Sequence, residues 1–374
     1  MKILFACGGT AGHINPAIAI ANYLKEKDSE TEVLFAGNPN GMEAKIVPKA
    51  GYAFEPIRVL GIQRHLSPRN IKNNIKALWY LAGSSARAKK IINDFKPDIV
   101  MGCGGYVSGP VVRKAALMGY KTIAMENNAL PGVTTKLLAK YVDKILLDVE
   151  ESKKYLPTDK EYVVTGNPVR QEIFTEDRKA ARDFYNVGER ICLLSFGGSL
   201  GAQRLNEAVA ELMAWHLKER DFVHIHGSGS YYGPSYYFDL LKEKGIDAEK
   251  HNNLIIREYI NDMPRCLAAA DLVISRCGAI TLAEIRAAGK ASVLIPSPNV
   301  AENHQYHNAM VLANHGAAVV IEEKDLTGEA LCKAVKKLTD NPAEIARLSA
   351  NAKALAVVDA NERIRREILE LYQR

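Results

Sequence analysis

Short apolar runs alternate with longer amphipathic segments along the whole chain. In the first half, apolar positions between the runs recur at helical spacing, as in residues 17–27 and 133–140. The runs themselves predict β-strands at residues 2–7, 32–35, 98–101, 122–125, 144–147 and 162–164. Strands that alternate with helices in this way predict a parallel sheet with helices on both faces.

The second half repeats the pattern. Its helical segments include residues 205–215 and 281–288, and its predicted strands are residues 191–195, 222–226, 254–257, 272–275, 292–295 and 318–321. Both halves open with a strand that runs into a glycine-rich loop, Gly8–Gly12 in the first and Gly197–Gly201 in the second. The predicted fold class is therefore α/β, with two tandem Rossmann-like domains whose parallel sheets are separated by a cleft.

The strongest break in this pattern is the sequence Gly166-Asn167-Pro168. It predicts a first domain of residues 1–166 and a second of residues 167–358. Residues 359–374 are polar and helix-forming, and we expect a C-terminal helix that crosses back to the first domain. A length of 374 residues suits two domains of ordinary size.

Composition narrows the class of protein. The chain is 47% hydrophobic and 25% charged, as in ordinary globular proteins, and no apolar run approaches the roughly 18 residues that span a bilayer. Its six cysteines are widely spaced, which predicts free thiols. The net charge of +6 is uneven, because residues 1–166 contain 23 Lys and Arg against 15 Asp and Glu. An electropositive first half suits an anionic partner such as phosphate, nucleic acid or a lipid surface.

The excess of positive charge is greatest in residues 58–96, which hold nine basic residues and one acid. Within this segment, Ile75, Leu78 and Trp79 fall on one helical stripe. Lys72 and Lys76 flank the stripe. The stripe either packs into the core or lies on an anionic membrane surface.

His13 directly follows the first glycine-rich loop. Glycines let a backbone approach a phosphate closely, and the N-terminus of the following helix favours negative charge. The spacing differs from the dinucleotide-binding pattern, and a tight turn without a ligand is the alternative. His13 is a candidate general base at the edge of the sheet, or else a structural histidine.

The second half offers a similar set of groups. Ser199 adds a hydroxyl donor to the second loop, and a later strand ends at Ser275 before a glycine turn. A helix that begins near Ala279 would hold a diphosphate at its N-terminus without a metal. Glu284, in that helix, would accept both hydroxyls of a ribose, or would be a solvated carboxylate.

Six motifs occur in order along the chain. They are GGTAGH, GCGGYVSGP at residues 102–110, ENNALPG at residues 126–132, GNPVR at residues 166–170, FGGSLGA and SRCGAITLAE. Together they closely resemble the bacterial UDP-N-acetylglucosamine:N-acetylmuramyl-(pentapeptide) pyrophosphoryl-undecaprenol N-acetylglucosamine transferases, over residues 2–309. The family usually has a glycine where Ala11 stands, a small change that keeps the loop compact.

The resemblance implies the fold called GT-B and an inverting transfer that uses no metal and no cofactor. N-Acetylglucosamine would pass from UDP-N-acetylglucosamine to the muramic acid 4-hydroxyl of lipid I, forming lipid II through a β-1,4 linkage. The enzyme would be a peripheral protein at the cytoplasmic face of the cell membrane, on an anionic surface, and would act in peptidoglycan synthesis beside other cell-wall synthesis proteins. No nucleic-acid partner is expected.

The resemblance also implies roles for single residues. His13 is the first candidate for the catalytic base and Glu126 the second, while Gly104, Gly105 and Tyr106, together with His13, would bind the acceptor. The implied donor-binding residues are Thr10, Ala11, Gly12, Asn128, Arg170, Ser199, Ile260, Ala279, Ile280, Thr281, Leu282, Ala283, Glu284 and Gln305.

Other functions stay open at this point. One is a different GT-B enzyme that glycosylates a lipid or a natural product, and another is a UDP-N-acetylglucosamine 2-epimerase, which needs no acceptor. The basic segment 58–96 argues against the epimerase. A non-catalytic nucleotide-binding module is disfavoured because two loops and candidate bases occur together, and no recognised motif supports a nucleic-acid binder.

Overall fold

The computed structural model describes residues 1–59, 83–157 and 159–374. Contacts between residues divide the chain into two compact units, Met1–Pro168 with Asp359–Arg374, and Val169–Val358. The predicted membrane stripe of Ile75, Leu78 and Trp79 lies outside the described residues, as do the flanking Lys72 and Lys76.

Seven described strands form one parallel sheet in the first unit, in the order β3-β2-β1-β4-β5-β6-β7. They are β1 (Lys2–Ala6), β2 (Glu32–Gly37), β3 (Ala53–Pro56), β4 (Ile99–Gly102), β5 (Lys121–Glu126), β6 (Lys144–Leu147) and β7 (Glu161–Val164). The direction of winding reverses between β1 and β4. Ligands of such sheets bind at the carboxyl ends of the strands beside this reversal, where the loop that contains Gly8 lies.

Six described strands form the parallel sheet of the second unit, in the order β10-β9-β8-β11-β12-β13. They are β8 (Cys192–Phe196), β9 (Val223–Gly227), β10 (Leu254–Arg257), β11 (Leu272–Ser275), β12 (Ala291–Leu294) and β13 (Ala318–Val320). Winding reverses between β8 and β11, so the loop that contains Gly197 occupies the corresponding place here. The prediction of an α/β fold with two parallel sheets is confirmed.

Helices cover both faces of each sheet. Those of the first unit are Ala11–Lys27, Glu43–Lys49, residues 83–95, Ser108–Leu117, Val133–Leu138 and Ala360–Gln373. Those of the second unit are Glu172–Thr175, Arg178–Phe184, Gln203–Glu219, Tyr236–Glu243, Met263–Ala269, Ala279–Ala288, His304–Asn314, Gly328–Thr339 and Pro342–Ala354. Within the described ranges, none is long and apolar enough to cross a membrane. All six cysteines are free, as their spacing predicts.

The sequence pattern does not predict β3. Its four residues, Ala-Phe-Glu-Pro, lack a clear apolar alternation and end in a proline, which cannot donate a backbone hydrogen bond. The proline is tolerated because β3 lies at the edge of the sheet among the described strands, where its one strand neighbour is β2. Three of the other predicted strands, residues 144–147, 254–257 and 272–275, have the observed bounds, and the rest differ by one or two residues at their ends.

The C-terminal helix Ala360–Gln373 belongs to the first unit. Its residues Ile364, Ile368 and Leu371 are buried in the core that contains β1. On the sheet beneath, Lys144 is fully buried and its Nζ lies 2.7 Å from Glu367 Oε2. Burial by itself would lower the pKa of Lys144, but hydrogen bonds to Glu367 and two further carboxylates raise it. The cation therefore persists and ties the helix to the sheet.

Candidate active site

In the first unit, candidate site residues gather where β1 and β4 end. Helix Ala11–Lys27 begins directly after the exposed Thr10, so the half-buried His13 lies in its first turn. His13 Nδ1 lies 3.1 Å from the carbonyl oxygen of Gly8 and 3.3 Å from Thr10 Oγ1. A carbonyl oxygen can only accept a hydrogen bond, so the contact assigns the proton to Nδ1. His13 Nε2 is then the nitrogen that can accept a proton.

Gly104 and Gly105 lie against this loop, and both have positive φ angles, of 100° and 79°. A Cβ atom at Gly104 would collide with the His13 ring, and one at Gly105 would collide with the Gly8 carbonyl. The ring of Tyr106 lies over Gly9. Residues that the resemblance links to the acceptor thus pack against the His13 ring and against the loop that precedes it.

Glu126, at the end of β5, is buried and accepts four hydrogen bonds from its own segment. Its Oε1 accepts from the backbone and side-chain nitrogens of Asn128, at 3.0 and 3.1 Å. Its Oε2 accepts from Gly132 N at 2.9 Å and from Thr135 Oγ1 at 2.6 Å. Because both oxygens are engaged, this geometry favours His13 over Glu126 as the base.

In the second unit, helix Ala279–Ala288 begins directly after the turn that follows β11. The predicted residues Ala279, Ile280 and Thr281 form its first turn, and Leu282 and Ala283 are buried behind them. The free backbone N–H groups of this turn lie at the carboxyl edge of the sheet. They form the kind of site that binds a diphosphate.

Glu284 and Arg170 form an ion pair one turn further along this helix. Arg170 Nε and Nη2 lie 2.9 and 2.8 Å from Glu284 Oε1. Glu284 is 8% exposed, so the predicted alternative of a solvated carboxylate does not describe it. Burial raises the pKa of Glu284 above its ordinary value, and Arg170 opposes this increase.

Two glycine loops meet above β8 and β9. Ser199 is exposed in the first, and its carbonyl accepts a hydrogen bond from Ser230 N in the second, at 3.1 Å. Gly201 and Gly229, with φ angles of 84° and 88°, pack backbone to backbone, and a Cβ atom at either would collide with the other loop. The close approach fixes the position of the Ser199 loop.

A buried polar network lies beneath these loops. Ser195 Oγ is 2.8 Å from His224 Nε2 and 2.7 Å from His226 Nδ1. Burial lowers the pKa of His226 to about 3 and that of His224 well below its ordinary value, so both imidazoles are neutral near pH 7. These hydrogen bonds join the two strands that carry the loops.

Gln305 lies beside the same helix N-terminus. Its Oε1 accepts from Cys277 N at 3.2 Å and from Ser297 N at 3.0 Å, which joins the ends of β11 and β12.

The two residues Glu302 and Asn303 have positive φ angles of 54° and 52°. Such strain in residues other than glycine is concentrated at functional sites.

Ile260 is buried next to Gly227, where β9 ends.

Sequence reasoning missed Glu43, which is fully buried in the first unit. Its Oε1 accepts from Asn38 N at 2.9 Å and its Oε2 from Gly9 N at 3.2 Å. A Cβ atom at Gly8, Gly37 or Gly41 would collide with its side chain. The sequence signal that could have indicated this residue is the set of glycines at the ends of two neighbouring strands, which leave space for a side chain between the two loops.

The sequence matches known families in both units. Residues 3–147 match the glycosyltransferase family 28 N-terminal domain, and residues 192–364 match the glycosyltransferase family 28 C-terminal domain. The two matches together cover most of the chain.

Relatives with named activities align over nearly the whole length. The UDP-N-acetylglucosamine–N-acetylmuramyl-(pentapeptide) pyrophosphoryl-undecaprenol N-acetylglucosamine transferase of Acetivibrio thermocellus is 41% identical over 365 residues, covering 97% of this chain and 96% of that protein. The protein of the same name from a Thermoanaerobacter species is 42% identical over 367 residues, covering 97% and 98%.

Solved structures share the fold. The crystal structure of Acinetobacter baumannii MurG has a TM-score of 0.79 and 26% identity, and the match covers 99% of both chains. The UDP-N-acetylglucosamine 2-epimerase of Neisseria meningitidis has a TM-score of 0.62 at 14% identity, covering 99% of this chain and 100% of that one. At that identity the likeness to the epimerase concerns the fold alone.

Proposed function

Because the chain belongs to glycosyltransferase family 28, among the UDP-N-acetylglucosamine–N-acetylmuramyl-(pentapeptide) pyrophosphoryl-undecaprenol N-acetylglucosamine transferases, we propose that its two sites divide that reaction between them. The enzyme transfers N-acetylglucosamine from UDP-N-acetylglucosamine to the muramic acid of lipid I, and the product is lipid II. We assign the donor to the second unit and the acceptor to the first. The buried Glu284 beside a helix N-terminus is the observation that carries the donor assignment.

The direct test of this reaction is to incubate the protein with UDP-N-acetylglucosamine and a lipid I analogue. UDP release that requires the acceptor is the expected result. UDP release at the same rate without acceptor, or formation of the 2-epimer, would contradict it.

In the donor site, the N–H groups of Ala279, Ile280 and Thr281 would face the diphosphate together with the Ser199 hydroxyl. Glu284 would accept the ribose hydroxyls through Oε2, since Arg170 already contacts Oε1. Arg170 also brings positive charge to the leaving diphosphate. Ile260 would meet the uracil through its backbone, and Gln305, held by its Oε1, would offer Nε2 to the sugar hydroxyls.

Replacing Glu284 with alanine should weaken UDP binding roughly 10- to 150-fold, because hydrogen bonds to a charged group contribute about 1.5–3 kcal/mol. The 2′-deoxyribose analogue should lose less affinity in the same variant. Isothermal titration calorimetry with both nucleotides measures the difference.

Equal losses for both nucleotides would place Glu284 away from the 2′-hydroxyl. Glu329→Ala, in helix Gly328–Thr339 of the same unit, is a matched control that should leave UDP affinity unchanged.

In the acceptor site, His13 would be the general base. The muramyl 4-hydroxyl gives its proton to His13 Nε2 while its oxygen forms a bond to the anomeric carbon. The bond from that carbon to the diphosphate breaks, and UDP leaves with the electron pair. Helix N–H groups stabilise the negative charge that develops on the diphosphate.

This scheme needs no metal ion. In the part of the chain that the structure describes, no group of three His, Cys, Asp or Glu side chains is arranged to hold one. We expect turnover to stay within about twofold in excess EDTA, because helix N–H groups stabilise the diphosphate in this scheme. Removal of an essential Lewis acid would have a much larger effect, since such an ion contributes several kcal/mol. A loss of turnover on chelation that Mg²⁺ or Mn²⁺ restores would contradict the metal-free scheme.

We propose that the first unit binds the cytoplasmic face of the membrane as a peripheral protein, because the acceptor is lipid-linked. The stripe at Ile75, Leu78 and Trp79 stays a prediction for this surface. The described residues add Leu117 and Leu137, which are 59% and 65% exposed on helices that pack together. Basic side chains lie on the same two helices and directly after them, at Arg113, Lys114, Lys136 and Lys140.

The protein should therefore bind vesicles of anionic lipid, and this binding should weaken as salt is added. It should bind neutral vesicles only weakly. Each basic residue near such a surface contributes about 1 kcal/mol, and salt screens it. Lys72→Glu with Lys76→Glu should abolish binding in a sedimentation assay, and Leu117→Ser with Leu137→Ser should weaken it.

Turnover of a short-chain soluble acceptor should survive these changes. Tyr231→Ser, at a position of the second unit that is 74% exposed, is the control and should not affect vesicle binding. If Trp79→Ala lowers thermal stability and leaves vesicle binding intact, the stripe belongs to the core.

A further inference from the structure

The peptide group that joins Gly8 to Gly9 has hydrogen bonds at both of its ends. Its carbonyl oxygen faces His13 Nδ1 at 3.1 Å, and its N–H donates to Glu43 Oε2 at 3.2 Å. Hydrogen bonds that share one amide polarise each other, so a carboxylate at the N–H makes the carbonyl a stronger acceptor. Glu43 is thus connected to His13 through a single peptide group.

We propose that Glu43 is a positioning residue that acts on His13 through this peptide, as a carboxylate–peptide–histidine relay. The proposal rests on the assignment of His13 as the base. In a Ser-His-Asp triad, the carboxylate contacts the imidazole directly, sets its tautomer and stabilises the imidazolium. Here the Gly8 carbonyl sets the tautomer, and the Glu43 charge reaches the ring through the peptide group.

The relay needs no proton movement beyond His13. The acceptor hydroxyl gives its proton to Nε2, the Nδ1 proton stays hydrogen-bonded to Gly8 O, and no proton passes to or from Glu43. The imidazolium forms as the acceptor oxygen attacks, so stabilising it lowers the barrier to transfer.

The surroundings of Glu43 are built to hold it. Its carboxylate is fully buried between the two loops that follow β1 and β2, and it accepts from a backbone N–H of each. Glycines at positions 8, 37 and 41 leave the space that its side chain fills. On the other side, Gly105 packs on the Gly8 carbonyl, so that the peptide group is held from both faces.

The other titratable groups that face this loop do not supply a negative charge near His13 in place of Glu43. Burial raises the pKa of Cys7, and Glu43 adds to the increase. Burial likewise raises the pKa of Cys103, with a contribution from Cys7, so both thiols are neutral near pH 7. The Tyr106 hydroxyl accepts from Asn38 Nδ2 at 3.3 Å, and Asn38 in turn donates its backbone N–H to Glu43.

The test is Glu43→Gln in the full-length enzyme, which keeps the shape of the side chain and removes its charge. We expect kcat to fall roughly 10- to 100-fold, the size found when groups that orient a metal-bound imidazole are lost. The acidic limb of the kcat–pH profile should move to lower pH, because a negative charge near an imidazole favours its protonated form. The KM for UDP-N-acetylglucosamine should change much less than kcat, because most of the donor-binding residues lie in the second unit.

Glu367→Gln is the matched control, since it removes another buried carboxylate of the same unit without touching the loop. It should leave the pH profile in place. A fall in kcat for Glu43→Gln with no shift of the acidic limb would overturn the relay and leave Glu43 a structural role.

A second measurement needs no variant at position 43. The ¹⁵N spectrum of His13 in the wild-type protein, assigned by its absence in His13→Ala, should show the neutral ring protonated on Nδ1. A neutral ring protonated on Nε2 would overturn the relay. If His13→Ala instead retains turnover, the assignment of His13 as the base fails. That result is distinct from failure of the relay, which would appear as an unshifted acidic limb in Glu43→Gln or as a neutral His13 ring protonated on Nε2.

Discussion

Replacing His13 with alanine should lower kcat by roughly 10²–10⁴-fold, the range that the loss of a general base produces. His13 lies in the first turn of a helix, and its Nδ1 contacts a backbone carbonyl, so Nε2 is the nitrogen that we propose receives the acceptor proton. The affinity for UDP-N-acetylglucosamine should change little, because ten of the fourteen donor-binding residues, Glu284 among them, lie in the second unit, and only Thr10, Ala11, Gly12 and Asn128 lie in the first. Steady-state kinetics with a lipid I analogue, and titration with UDP, measure the two effects separately.

A control is available in His315→Ala. His315 also faces a backbone carbonyl through Nδ1, at 2.8 Å from Val311 O, but it lies outside both sites and its loss should leave kcat unchanged. If His13→Ala keeps near-normal turnover while Glu126→Ala does not, the two candidates exchange roles. The four hydrogen bonds that engage Glu126 make that the less favoured outcome.

Lys144→Met should lower the free energy of unfolding of the first unit by about 3–5 kcal/mol, the cost of leaving one partner of a buried ion pair without the other. Lys144 is fully buried, and Glu367, its nearest carboxylate, is also buried. The Glu161 and Glu370 carboxylates lie 3.2 Å from the same Nζ atom. Denaturant unfolding followed by circular dichroism gives the free energy, and hydrogen exchange should show lost protection in residues 360–373.

The double variant Lys144→Met with Glu367→Leu should recover much of this loss, because neither charge then remains buried. Lys90→Met, which removes an exposed pair with Asp94, should change stability by less than about 0.5 kcal/mol. A similar small effect for Lys144→Met would mean that the ion pair does not hold the C-terminal helix in place. UDP affinity should be the same in all these variants.

The sequence allowed the two sheets to be predicted because their strands are short, strongly apolar runs between amphipathic segments. It did not allow β3 to be predicted, since an edge strand needs no such run and Pro56 obscures it. The loops that begin at Gly8 and Gly197 could be placed at the sheet edges, because strand-to-loop transitions are local features of the sequence.

Contacts between distant positions could not be predicted in the same way. Arg170 and Glu284 were each expected near the donor, yet nothing in a single sequence shows that residues 114 positions apart form an ion pair. Glu43 lies 34 positions from Gly9, and the contact between them depends on the side-by-side placement of β1 and β2. Only the fold brings such pairs together.

The discontinuous first unit affects the order in which the chain can fold during synthesis. Residues 169–358 form a continuous unit, which can complete its contacts as soon as they have left the ribosome. Helix Ala360–Gln373, by contrast, reaches the first sheet only after the whole second unit has been made. At a synthesis rate of about 5–20 residues per second, roughly 10–40 s pass between the synthesis of the first sheet and that of this helix. During that interval Lys144 and the apolar surface that receives Ile364 and Ile368 lack their cover, so the nascent first half exposes to solvent an apolar surface that the finished protein buries.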